Sequence, residues 1–367
     1  MAQLGDLVRA KVLLKRAVRA FSPKETVARA RCVVAVAEIA LASRDLNWPT
    51  KALHAARATL ENHGDRVNAA HASYLEVRRL LLIGRIEEAE RTLANLDPTA
   101  LPPPSRAVHE LMVAGIAMRR VRAAEARAAL ARAQHAAQLA GIPALTAEVE
   151  SALLLLNTPA GRLIASGAER PLLLEEIEAL QASQACIVDA CRHVIRDERK
   201  VISLSRRPVL FALARALGEA WPGDVPRDML VERAFRAKRA DESHRARLRV
   251  EMARLRKVLG TMVDVTATKR GFALAPRRAR EVVVLARPVE EKHATVLAAL
   301  ADGESWSSSA LALALATSQR TVQRALDSLA TTGKVQSFGH GRTRRWTTPP
   351  MPGFATTLLL PAPLPID

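Results

Sequence analysis

The stretch that decides the fold is Leu248-Arg-Val-Glu-Met-Ala-Arg-Leu-Arg-Lys-Val-Leu-Gly260, followed at once by Val263-Asp-Val-Thr-Ala-Thr-Lys-Arg-Gly-Phe-Ala-Leu274. Leu248, Met252, Leu255 and Leu259 recur at helical spacing, so a helix from about Ser243 to Leu259 has one face built for burial. Gly260 is expected to cap it. The next run is β-prone and carries Lys269-Arg270-Gly271 at its middle, the pattern of a hairpin. At about 100° per residue, Ala246, Val250, Ala253 and Lys257 fall opposite the apolar stripe. Arg247, Arg249 and Arg254 flank that face, and Arg245 and Arg256 lie towards its edges. A strip of small side chains fringed by arginines suits a DNA major groove. The strip lets the helix approach, and the fringe reaches phosphates and guanine edges.

Working outward, Ser205 reads as the N-cap of a helix with Pro208 in its first turn, and Pro226 to Phe235 reads as another. Before them lie three short β-prone runs, Ala185-Cys-Ile-Val-Asp189, His193-Val-Ile195 and Lys200-Val-Ile-Ser-Leu204. Charge singles out the same region. The 367-residue chain carries a net +18, of which residues 191–280 hold +13, residues 1–190 +4 and residues 281–367 +1. A surplus concentrated in one domain points to a polyanionic partner, nucleic acid before membrane.

The order Leu204-Ser-Arg-Arg-Pro208, Asp228-Met-Leu-Val-Glu-Arg-Ala-Phe235, Arg254-Leu-Arg-Lys257 and Arg270-Gly-Phe272 resembles the OmpR-type winged helix, the DNA-binding half of many response regulators. That resemblance covers about 90 residues and implies a major-groove recognition helix and a hairpin wing, with Lys269 and Arg270 at its turn, touching the neighbouring backbone. No receiver domain accompanies it, so no phospho-acceptor aspartate is implied. Double-stranded DNA is the expected partner, with RNA polymerase and a second copy of the chain as further candidates.

A second helix-turn-helix pattern follows. His293–Leu300, Ser307–Ala316 and Gln319–Leu329 read as three helices, and Val322, Leu326 and Leu329 form the buried stripe of the third. Gln319, Arg320, Gln323 and Arg324 then face outward, residue types suited to adenine and guanine edges. The run from Lys334 to Trp346 reads as a wing with Arg342, Arg344 and Arg345 behind a Gly-His-Gly turn. This module is similar to the winged helices of DeoR- and MarR-like repressors; a dimerisation or partner-contact role stands beside DNA contact.

Residues 1–155 read as helix after helix. Ala52, Ala89 and Ala126 recur at steps of 37 residues, each followed by small or apolar residues at helical spacing. The set Gly84, Ala89, Leu93 and Pro98 resembles a tetratricopeptide-like repeat, which implies a groove for a protein or peptide. An Ala-rich helical bundle is the plain alternative.

The expected fold class is therefore mainly α, an N-terminal α-solenoid of helical hairpins followed by two winged-helix α+β domains. Boundaries are expected at 1–155 (repeat), 156–184 (connector), 185–280 (basic winged helix), 290–348 (second module) and 349–367 (Pro-rich tail). No enzyme, cofactor or metal is expected. P-loop, Gly-x-Gly-x-x-Gly and His-Glu-x-x-His motifs are absent from the sequence. Cys186, Cys191 and His193 are the closest approach to a metal cluster, with Cys191 and His193 expected on one strand face and Cys186 on the other; no fourth ligand is evident. Three cysteines, no apolar run near about 18 residues and a charged N-terminus fit a cytoplasmic, nucleoid-associated protein without a membrane segment.

Overall fold

The computed structural model describes residues 7–235, 241–291, 293–301 and 303–348, so the Pro-rich tail lies outside the described residues. The structure is mainly helical with smaller sheets, and it divides into two units. One joins the helices before Asn157 to the residues from Glu291 onward, and the other runs from Thr158 to Glu290.

The N-terminal helices are α1 (Leu7–Ala20), α2 (Thr26–Ala42), α3 (Thr50–Asn62), α4 (Arg66–Leu82), α5 (Ile86–Ala94), α6 (Pro103–Arg119), α7 (Ala123–Ala140) and α8 (Pro143–Leu156). Each packs on the next, and α2, α4, α6 and α8 also pack in succession. The turns after α2, α4 and α6 repeat one closure. Arg44, Gly84 and Val121 take φ of 49°, 75° and 60°. The following N–H groups of Asp45, Arg85 and Arg122 then donate to Ala40, Leu80 and Ala117 at 2.8–2.9 Å. Such bonds satisfy carbonyls that a helix end would otherwise leave bare.

The expected repeat register holds for Ala89 and Ala126, both fully buried three residues into their helices. It slips by one in the first copy. Ala52 is exposed, and Leu53 takes the buried place. The turn from Arg44 to Thr50 is longer than those after Gly84 and Val121, which shifts the phase of α3.

The second unit begins with β1 (Gly161–Ala165), β2 (Ala168–Leu172) and α9 (Leu174–Ala182). These residues were expected to be a connector, with a loop at Asn157–Gly161 and a short helix from Leu172 to Gln181. Helix α9 is that helix, but β1 and β2 form a hairpin at the edge of a sheet. Strands β3 (Cys186–Asp189), β4 (Val194–Arg196) and β5 (Val201–Ser203) follow, then α10 (Pro208–Ala220), β6 (Val225–Pro226), α11 (Arg227–Phe235), α12 (Glu242–Leu259), β7 (Val263–Ala267), β8 (Gly271–Pro276) and β9 (Val282–Ala286). The larger sheet has the order β2-β1-β9-β3-β4-β5, with β9 parallel to β3 and the remaining pairs antiparallel. Every residue of β9 is buried, so the boundary expected at 280 cuts off a central strand. Helix α10 lies close on this sheet. A Cβ at Gly218 would stand 3.1 Å from Val188 and Val284.

Gly260 is the C-cap of α12, in a right-handed conformation with φ of −55°. Two local expectations change. The N-cap of α10 is Arg207 without a side-chain bond, not Ser205, although Pro208 does begin the helix. Cys191 and His193 lie outside β3 and β4, in a turn where His193 has φ of 55°, so they share no strand face.

The last module belongs to the first unit. It comprises α13 (Ala294–Leu300), α14 (Ser308–Ala314), α15 (Gln319–Thr331), β10 (Gln336–Phe338) and β11 (Arg345–Thr347). Trp306 pairs with Trp346 through two backbone bonds of 2.8 Å, adding a one-residue third strand. Both indoles are buried, and the Arg44 guanidinium stands 5.6 Å over the Trp306 ring.

Candidate nucleic-acid interface

Asp241 caps α12 by accepting from the His244 N–H at 2.8 Å. Leu248, Met252, Leu255 and Leu259 are all at most 2% exposed, and they anchor one face of the helix in the core shared with α10 and α11. Burying four such side chains is worth several kcal/mol by area, at about 1.5–3 kcal/mol each. The opposite face is therefore fixed in orientation. Arg245, Ala246, Arg247, Arg249, Val250, Ala253, Arg254, Arg256 and Lys257 are exposed on it or at its edges.

Not all of these cations are equally available. Arg249 pairs with Glu242 at 3.1 Å, Arg254 with Glu251 at 2.7 Å and Arg245 with Asp228 at 3.4 Å. Exposed pairs like these are worth about 0–1 kcal/mol and exchange readily for a phosphate. Arg247 stands 4.5 Å over the Phe235 ring. Arg256, at the edge of that face, is engaged. Its Nε donates to the Val265 carbonyl at 2.7 Å and its guanidinium stands over Phe272, so it braces the hairpin while still partly exposed.

The β7–β8 hairpin is held by a clamp that the sequence reading missed. Arg227 donates to the carbonyls of Thr268 and Lys269, both at 3.1 Å, and also stands over Phe272. The Thr268 hydroxyl donates to Asp224 at 2.6 Å and accepts from the Gly271 N–H at 2.8 Å. Gly271 is required where β8 crosses β6, because a Cβ there would meet the Val225 carbonyl oxygen at 1.7 Å. Lys269 and Arg270 are left exposed at the tip. Nothing in the sequence marks Asp224 or Arg227 for this task; only the invitation of an Arg-Gly-Phe turn was visible.

In the last module, Ser318 caps α15 by accepting from the Thr321 N–H, and Val322, Leu326 and Leu329 are buried. Arg320 and Arg324 are exposed. Gln319 donates to Ser308 at 3.0 Å and Gln323 to Asp327 at 2.9 Å. Arg344 donates to Ser337 at 3.0 Å and stacks 4.3 Å over Trp346, whereas Arg345 is half-buried opposite Phe338. Arg342 lies in the turn Gly341–Thr343, and its side chain is outside the described residues.

The cysteine region has a different character. Burial pushes the Cys186 and Cys191 thiols up to about 12, which leaves them protonated at neutral pH. The His193 ring meets Phe211 edge-on at 4.6 Å. Among the described residues, no three His, Cys, Asp or Glu side chains stand together as metal ligands, and no helix is long and apolar enough to cross a membrane.

No family model, curated protein or solved structure matches the chain.

Proposed function

We propose that this chain is a sequence-specific double-stranded DNA-binding transcription regulator, with α12 as the major-groove helix and β7–β8 as its wing. One observation carries the reading. The only heavily basic part of the chain folds so that a buried stripe fixes α12 and turns its arginine-fringed face outward beside a braced, basic hairpin. The last module repeats the logic with Arg320, Gln323 and Arg324 at the start of α15, and it is proposed to lengthen the site. The N-terminal helices are proposed as a tetratricopeptide-like solenoid that takes a protein or peptide, in a cytoplasmic protein.

A second reading, an interaction scaffold, draws on the grouping of the last module with the N-terminal helices and on the Arg44–Trp306 contact. A salt titration of duplex binding by the full chain separates the two. Neutralising six to ten phosphates makes affinity fall about 10³–10⁵-fold between about 50 and 200 mM salt. Replacing Arg254 and Lys257 by alanine lowers affinity for every duplex and reduces the salt slope by about one per contact removed. Affinity indifferent to salt, or to both substitutions, favours the scaffold.

A further inference from the structure

The β10–β11 hairpin carries the feature that the proposed reading does not use. Phe338 is 53% exposed in a chain with few aromatic residues. Strand alternation explains why. Trp346 faces inward, and its cross-strand partner is Ser337. The neighbouring pair, Phe338 and Arg345, must then share the opposite, outward face. All three residues of β10 are exposed, as are Gly339 and His340 beside them.

The chain beside this ring is basic. Residues 328–348 contain Lys334, Arg342, Arg344 and Arg345 and no acidic residue. Lys334 pairs with Glu291, which leaves the three arginines of 342–345 as the hairpin's own charge. The hairpin is also tied down at several points. The Trp306–Trp346 bridge ties it to the module core, and Arg344 spans it through Ser337 and Trp346. Gly339, at φ of 76°, is packed so tightly that a Cβ would stand 2.8 Å from the Thr343 carbonyl oxygen. A phenyl ring presented on such a base loses little freedom on binding.

Size decides the kind of partner. A protein interface needs about 800 Å² per side, and a lone ring among Gln336, Ser337, Gly339 and His340 offers a small fraction of that. A DNA minor groove, about 6 Å wide, admits a narrow hairpin tip but not a helix. Apolar side chains inserted there between base pairs kink the duplex, while adjacent cations hold the backbones.

We propose that Phe338 is a minor-groove wedge: the hairpin seats its cations on the two phosphate backbones and drives the ring into a base step, bending the DNA. This rests on the duplex-binding reading but not on α12, which belongs to the other unit.

The test uses the full chain and a duplex recovered by the wild type from a random pool, with donor and acceptor dyes at its ends. The wild type is expected to shorten the end-to-end distance, with a bend of at least about 20°. Phe338→Ala should weaken binding about tenfold and, at saturating protein, leave the duplex straight. Phe338→Leu keeps an apolar wedge and should restore most of the bend, whereas Phe338→Ser should not. Because the ring is exposed, the melting temperature should be unchanged in all three, which separates lost insertion from lost folding. Wild type that binds without bending, or Phe338→Ala that bends as the wild type does, overturns the wedge alone. Wild type that binds no duplex overturns the wedge and the proposed function together.

Discussion

Replacing Gly271 by alanine puts a methyl carbon 1.7 Å from the Val225 carbonyl oxygen, 2.7 Å from its carbonyl carbon and 3.0 Å from the Pro226 Cα. All three are backbone atoms, so no side chain can rotate away. The strands β6 and β8 must part by about 1.7 Å to bring the 1.7 Å approach out to ordinary van der Waals contact at 3.4 Å. Parting them breaks the Pro226–Gly271 pairing and strains the clamp of Asp224, Arg227 and Thr268. Each hydrogen bond lost costs about 0.5–1.5 kcal/mol, and forced backbone displacement about 1–3 kcal/mol. The expected loss is about 3 kcal/mol, a large share of the 5–15 kcal/mol that holds a typical domain. For a unit of this size that lowers the melting temperature by about 10 °C. The assay is urea denaturation of the full chain followed by tryptophan fluorescence, since Trp221 packs against the same core. Lys269→Ala, at the exposed tip of the same turn, serves as the control and should cost under about 0.5 kcal/mol. A Gly271→Ala protein as stable as that control would refute the account of the crossing.

Two further outcomes follow from particular residues. Burial holds the His109 imidazole below its ordinary 6.5, against the opposing pull of Glu110 and Asp97. The unfolded imidazole then takes up a proton at a higher pH than the folded one, so the helical unit should lose stability as pH falls below about 6.5, and His109→Gln should flatten that dependence in urea midpoints between about pH 7.5 and 5.5. Arg324→Ala should relax base preference at one or two positions of a selected site, because a bidentate arginine discriminates by about 1–3 kcal/mol; an unchanged site-selection profile would remove α15 from recognition.

The parts of the fold that were legible in the sequence are those where one physical period dominates. Leu248, Met252, Leu255 and Leu259 announce α12, and Val322, Leu326 and Leu329 announce α15, because a half-buried helix must repeat its apolar residues every three or four positions. The failures have equally local causes. Val282-Val-Val-Leu-Ala286 is buried on both faces, so it shows no alternation, and as a central strand parallel to β3 it needs none. Pro171 and the charged residues of Ala168–Leu172 hid an edge strand, although edges are where a sheet tolerates proline. The one-residue slip at Leu53 follows from a longer turn, which a fixed period of 37 does not register.

The arginines were the hardest to sort, and their sorting has a physical rule. Outward projection on a helix treats every guanidinium alike, yet a planar cation beside an aromatic face is drawn onto it. Aromatic residues are only 3% of this chain, and among the described residues Arg227 and Arg256 stand over Phe272, Arg247 over Phe235 and Arg344 over Trp346. Arg256 and Arg344 were expected to touch DNA, but they first hold the two hairpins in shape. Arg249 pairs with an exposed carboxylate and Arg254, itself exposed, with the half-buried Glu251, and these pairs at the surface leave the two guanidinium groups within reach of a phosphate. Removing Arg227, Arg256 or Arg344 should therefore change the position of a hairpin, whereas removing an unstacked arginine should change only the charge presented to a polyanion.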